Sequence, residues 1–144
     1  MSRAASSAWA AVTDSLRKAF PQLEAIEPGG ALTMALGHEG WLYELTPDGR
    51  VLCQYGIDLD DVKSLMSDGT TEDLGSDELA KQAKYYIQPA VSKFRALLLQ
   101  SGFSEETDMN DAFVAVTFTR PVDLGKPESV HSLTAWCVRT IGQT

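Results

Sequence analysis

Only two cysteines and two histidines occur among these 144 residues, and that shortage removes whole classes of chemistry. Cys53 and Cys137 are too few for the disulfide framework of a small secreted domain, so both are expected as reduced, buried thiols of a cytoplasmic protein. A zinc centre wants three or four His or Cys ligands, and no second such residue stands at metal spacing beside His38 or His131. There is no G-x-S-x-G elbow, no glycine-rich phosphate loop and no C-x-x-C pair. Positive charge is scarce as well. Twelve Lys and Arg against twenty Asp and Glu leave a net charge of -8, which opposes binding to a phosphate backbone. Long apolar runs are missing: nothing approaches the ~18 consecutive residues of a membrane-spanning helix. The first twenty residues lack the apolar run of ~7 or more that a secretory signal places behind a basic start. They are Ala-, Ser- and Arg-rich in the manner of a transit peptide, but Asp14 breaks that acid-poor pattern and the segment reads as a core helix.

What is present describes an ordinary folded chain. A hydrophobic fraction of 44% and a length of 144 residues fit a single α+β domain spanning 1–144. Ala5, Ala8, Trp9, Val12, Leu16 and Phe20 recur at helical steps, and Pro21 should end that helix. Period-two alternation predicts strands over 31–36, 41–45 and 51–55. Pro47-Asp48-Gly49 between the last two is a hairpin signal.

Residues 58–78 hold eight of the twenty acids, with a short helix expected over Asp61–Met66 behind Asp60 and an exposed loop over Ser67–Gly75. Ser76 should cap a long helix whose apolar face runs from Leu79 to Leu98. Pro89 should bend it, and Gly102 should stop it. Alternation then predicts strands over 112–119 and 130–141. The expected fold is α+β in the order α-β-β-β-α-β-β, a five-stranded antiparallel sheet with two main helices on one face.

Searches for a reactive constellation end in spacing failures. His131 and Cys137, read on one strand, would stand about 20 Å apart and could not act as a nucleophile–base pair. Asp58 and Asp60 fit the first two positions of a calcium loop, but Val62 occupies the third. Pro47-Asp48 followed by Asp61-Val62-Lys63 resembles the PD…(D/E)xK arrangement of metal-dependent nucleases, in which two carboxylates hold Mg²⁺. Asp48 reads instead as a turn residue and Asp61 as a helix-start residue, whereas that family sets them on adjoining strands. No cofactor and no metal are expected.

Charge layout is the more informative signal. From Leu79 to Phe103 there is no acid, while Lys81, Lys84, Lys93 and Arg95 make a basic ridge beside the acidic segment. A two-signed surface suits recognition of a charged protein partner, or pairing with a second copy. The expectation is a non-enzymatic, acidic protein-binding module resembling bacterial immunity proteins, which neutralise a toxin or effector stoichiometrically. The partner would present a basic surface. Its contact residues would be Asp58, Asp60, Asp61, Asp68, Glu72, Asp73, Asp77 and Glu78, with Glu105, Glu106, Asp108 and Asp111 as a second region. The element order, size and acidity are also similar to those of secretion chaperones, which implies a homodimer with exposed apolar grooves. A strand over 130–141 leaves no closing helix of the kind those chaperones carry. A third reading is a small-molecule binder or metal-dependent hydrolase, with a pocket between sheet and helices lined by Trp41, Tyr43, Trp136 and the histidines.

Overall fold

Arg3–Ala19 forms helix α1, and the ring of Pro21 stands just beyond its last turn, where Phe20 N still donates to Leu16 O at 2.7 Å. The computed structural model describes residues 3–26, 30–37, 40–65, 76–109 and 112–142. Trp9, Val12 and Leu16 are buried, so α1 presents the apolar face that its three- and four-residue steps predict.

The strands are β1 (Glu24–Ala25), β2 (Leu32–Leu36), β3 (Trp41–Thr46), β4 (Arg50–Asp58), β5 (Ser104–Met109) and β6 (Phe113–Pro121). They form one antiparallel sheet of six strands in the order β1-β2-β3-β4-β6-β5. In β2 and β3 alternate residues are buried, Leu32, Met34 and Leu36 facing Leu45, Tyr43 and Trp41 in register. The β3–β4 hairpin turns where Pro47-Asp48-Gly49 predicts. Gly49 has φ +88, donates to Thr46 O at 3.0 Å and accepts from Val122 N at 2.8 Å. A Cβ there would also lie 2.8 Å from the Val122 carbonyl, so both conformation and space require glycine.

Four helices occur among the described residues. After α1 come α2 (Leu59–Leu65), α3 (Ser76–Gln100) and α4 (Pro127–Thr140). Pro89 lies inside α3, which continues through it to Gly102 at φ +92. The expected loop over Ser67–Gly75 lies outside the described residues, as do Met66 and His38.

Three expectations are corrected. The sheet has six strands rather than five, and among the described residues α4 joins the two main helices and the short helix that were expected. The segment 130–141 is a helix, not a strand. Val130, Leu133, Thr134 and Cys137 are all buried at steps of three, one and three residues, which no strand could bury on one face. Pro127 opens the helix at its first turn, where proline's fixed φ is pre-set and its missing N–H has no partner to lose. The double-sided burial expected of the last strand belongs to β6 instead, where Val114 to Phe118 are all buried. β1 and β5 are the unexpected strands: all their residues are exposed, so no apolar alternation marks them.

The chain divides into two compact units. The first comprises Met1–Cys53 and Thr119–Thr144, with α1, β1–β3 and α4; the second comprises Gln54–Phe118, with α2, α3 and β5. β4 passes from one to the other after Cys53, and β6 after Phe118.

Candidate functional site

Partner binding is a property of surface, so the predicted acids are best placed one by one. Asp58 ends β4, and Asp60 and Asp61 open α2; all three are exposed. The junction is fixed by Leu59 N donating to Ala112 O at 2.8 Å. Acids in the first turn of a helix face its positive end, which accounts for their place without any ligand. Glu78 stands 3.5 Å from Lys81 within α3. Glu105 on β5 receives Arg95 of α3 through two bonds, from Nε at 2.7 Å and from Nη2 at 3.2 Å. Glu106 and Asp108 are exposed on the same edge strand. Asp68, Glu72, Asp73, the Asp77 side chain and Asp111 lie outside the described residues. The described acids thus belong to the second unit, spread over the β4–α2 junction, the first turn of α3 and β5.

The exposed apolar residues form a third and sharper feature of that unit, one that charge patterning missed. On α3, Tyr85 is 71% exposed, Leu99 46%, Leu97 45% and Tyr86 38%. Its other face buries Leu79, Ala83, Ile87, Val91, Phe94 and Leu98. Exposed apolar side chains thus lie outside the stripe that α3 buries. The signal was present in the sequence as apolar residues off the main stripe, and it was masked by the lysines between them.

The first unit is where the candidate catalytic side chains fall. Trp41 and Tyr43 are core residues rather than pocket walls. The Tyr43 hydroxyl bonds to Thr134 Oγ1 at 2.7 Å, and Thr134 in turn donates to Val130 O at 2.8 Å. Burial pushes the Tyr43 phenol well above its ordinary pKa, although the Thr134 bond acts in the opposite direction. Cys53 and Cys137 meet with their sulfurs 3.7 Å apart. The bond to Cys137, reinforced by burial, holds the Cys53 thiol protonated well above the usual thiol range. A thiol so held is a poor nucleophile.

His131 and Cys137 share a helix rather than a strand, so the 20 Å separation expected of them shrinks to about 9 Å of helix rise. His131 is engaged elsewhere. Its Nε2 lies 2.6 Å from Ser15 Oγ, and its ring meets Phe20 at 6.5 Å, so the imidazole joins α4 to α1. A serine beside an imidazole is half of a hydrolytic arrangement, which further needs an orienting acid and oxyanion donors.

No family model, no curated protein and no solved structure matches this chain. The reading of the surface therefore rests on the residues themselves. Asp48 sits in the β3–β4 turn with its carboxylate on Thr46 Oγ1 and 3.7 Å from Arg50 Nε, and Asp61 sits on α2, so neither lies on a strand as the nuclease pattern requires. Among the described residues no three His, Cys, Asp or Glu side chains group to hold a metal ion, and no helix is long and apolar enough to cross a membrane. A groove of about 760 Å³ opens beside the hairpin, walled by Ala8, Pro47, Asp48, Val122, Asp123 and Leu124. Asp123 Oδ1 accepts from Gly125 N at 2.9 Å, so that carboxylate shapes the 123–126 turn leading into α4.

Proposed function

We propose that the chain is a non-enzymatic protein-binding module of the secretion-chaperone kind, working as a homodimer. The observation that carries this reading is α4. With the two-residue β1 and the seven-residue α2 set aside, the elements run α-β-β-β-α-β-β-α. That is the order of those chaperones, with α4 in the place of their closing helix. The support is an analogy of topology, because a fold by itself does not carry a function. Independent support comes from the exposed aromatic and aliphatic side chains of α3, which suit a protein that buries them against another chain. Size-exclusion chromatography with light scattering tests the reading. A particle of twice the 15.6 kDa chain mass is expected, and a monomer at every concentration would refute it.

A second reading is favoured by the exposed acids Asp58, Asp61, Glu106 and Asp108. A monomeric inhibitor of the immunity type would use them to capture a basic toxin or effector. The same measurement separates the two, since this reading requires a monomer that binds its target one to one. Salt would then weaken the complex strongly, because exposed charges are screened beyond ~10 Å at 0.1 M.

A further inference from the structure

We infer that Cys53 and Cys137 form a disulfide site, which a small disulfide such as oxidised glutathione closes into a covalent tie between the two chain segments of the first unit. The inference is independent of the homodimer reading. The first unit is discontinuous, made of Met1–Cys53 and Thr119–Thr144, and each segment contributes one cysteine. Cys53 is the last residue of the first segment, on β4, and Cys137 lies on α4 in the second. The chain between them includes the whole of the second unit, Gln54–Phe118. With both thiols reduced, the covalent path between the two segments runs only through that unit. With the bond closed, the segments are joined directly.

The geometry is set for closure. The sulfurs lie 3.7 Å apart, so an S–S bond of about 2.05 Å requires each to move by less than ~1 Å. Both residues are fully buried at 0% exposure, and the chain has no third cysteine. Neither sulfur of the folded chain is therefore open to a thiol of another molecule, and the bond forms within one chain. Chain entropy acts in the same direction. A link between positions 84 apart removes many conformations from the unfolded chain and none from the folded one.

The exchange takes two steps. One cysteine thiolate attacks a sulfur of oxidised glutathione, which gives a mixed disulfide and releases a glutathione thiolate that takes up the proton the cysteine lost. The second cysteine sulfur then attacks the cysteine sulfur of the mixed disulfide. The Cys53–Cys137 bond forms, and the second glutathione leaves with the remaining proton. Two electrons pass from the pair to glutathione. Burial makes this slow, because the first attack waits on local opening around α4. The contact with Cys137 and burial also hold the proton of Cys53, so the rate should rise with pH as thiolate becomes available.

The test equilibrates the full wild-type chain in glutathione redox buffers, folded and in urea, then quenches with acid and labels free thiols with a maleimide. Under oxidising buffer the folded chain should take up no label and run as a single chain on a non-reducing denaturing gel. Digestion should yield one peptide pair joining Cys53 to Cys137. The effective concentration of one thiol at the other should be roughly 100-fold greater folded than in urea, because that ratio equals the factor by which the bond stabilises the fold. The oxidised chain should melt on the order of 10 °C above the reduced one, whereas Cys53→Ala and Cys137→Ala should each melt alike in both buffers. An effective concentration no greater folded than in urea would overturn the inference. So would full labelling of both thiols at every buffer ratio, or two glutathione adducts in place of the joined peptides.

Discussion

The sulfurs of Cys53 and Cys137 lie 3.7 Å apart although 84 positions separate them in the chain, and this contact ties the closing helix α4 to strand β4 in the core of the first unit. Both residues are fully buried, and the Tyr43–Thr134 bond links β3 to the same helix. Together the two contacts fix which face of α4 turns inward.

Cys53→Ala and Cys137→Ala should each destabilise by about 1–3 kcal/mol, because each removes a core atom whose place the packing does not refill. The double variant should lose less than the sum of the two, since both singles remove the same contact. Urea denaturation of the three variants measures this directly, and strict additivity would mean that the sulfurs do not interact.

Tyr43→Phe and Thr134→Val should differ in severity. Tyr43→Phe leaves Thr134 still bonded to Val130 O, and the expected loss is about 0.5–1.5 kcal/mol. Thr134→Val leaves the Tyr43 hydroxyl buried without its partner, at an expected cost of about 1–3 kcal/mol. The same denaturation series ranks them, and equal losses would contradict the bonding described.

Stability should fall at alkaline pH, and the sign follows from proton linkage. The folded chain holds the Tyr43 and Cys53 protons to higher pH than the unfolded chain does. Their contribution is therefore fully present below the ordinary thiol and phenol values of about 8.5 and 10, and it is lost as pH rises from those values through the higher folded ones. Phenolate absorbance should show one tyrosine ionising only as the fold melts, and Tyr43→Phe should remove that late component.

Gly49→Ala should destabilise by about 1–3 kcal/mol, because the residue is held at φ +88 and its new Cβ would press on the Val122 carbonyl. A thermal melt reads the loss. Gly125→Ala would be a milder comparison, since the nearest atom to its Cβ is the Asp123 carboxylate at 3.1 Å rather than backbone.

Arg95→Ala should have a small effect, about 0.5–1 kcal/mol, despite the two-pronged bond to Glu105. Both side chains are partly exposed, and water and salt screen the pair. The loss should shrink further in 1 M salt, where the screening length is about 3 Å.

Elements that bury one face and carry their own punctuation were legible in the sequence. The α1 stripe before Pro21, the long α3 between Ser76 and Gly102, and the Pro47-Asp48-Gly49 hairpin all stand where their patterns put them. α4 resembles a strand locally because Leu133, Ala135 and Cys137 alternate over a few residues, while the wider spacing from Val130 to Ile141 is helical. β5 had no signature at all: Ser104-Glu105-Glu106-Thr107-Asp108-Met109 is polar on both faces and is a strand only because β6 offers it an edge. The acidic surface was legible as composition. The outer stripe of α3 was not, because its spacing has meaning only once the inner face is known to be filled.

The sequence by itself determined the acidity, the hairpin turn and the two longest helical faces. These are local properties, set by side-chain period, proline and glycine geometry and charge count. Only tertiary structure decided that residues 127–140 close the fold as a helix, that Cys53 meets Cys137, that Ser15 meets His131 and that α3 keeps an apolar face toward water. Each of those depends on contacts between residues distant in the chain, and no local pattern encodes which of two faces a distant neighbour will cover.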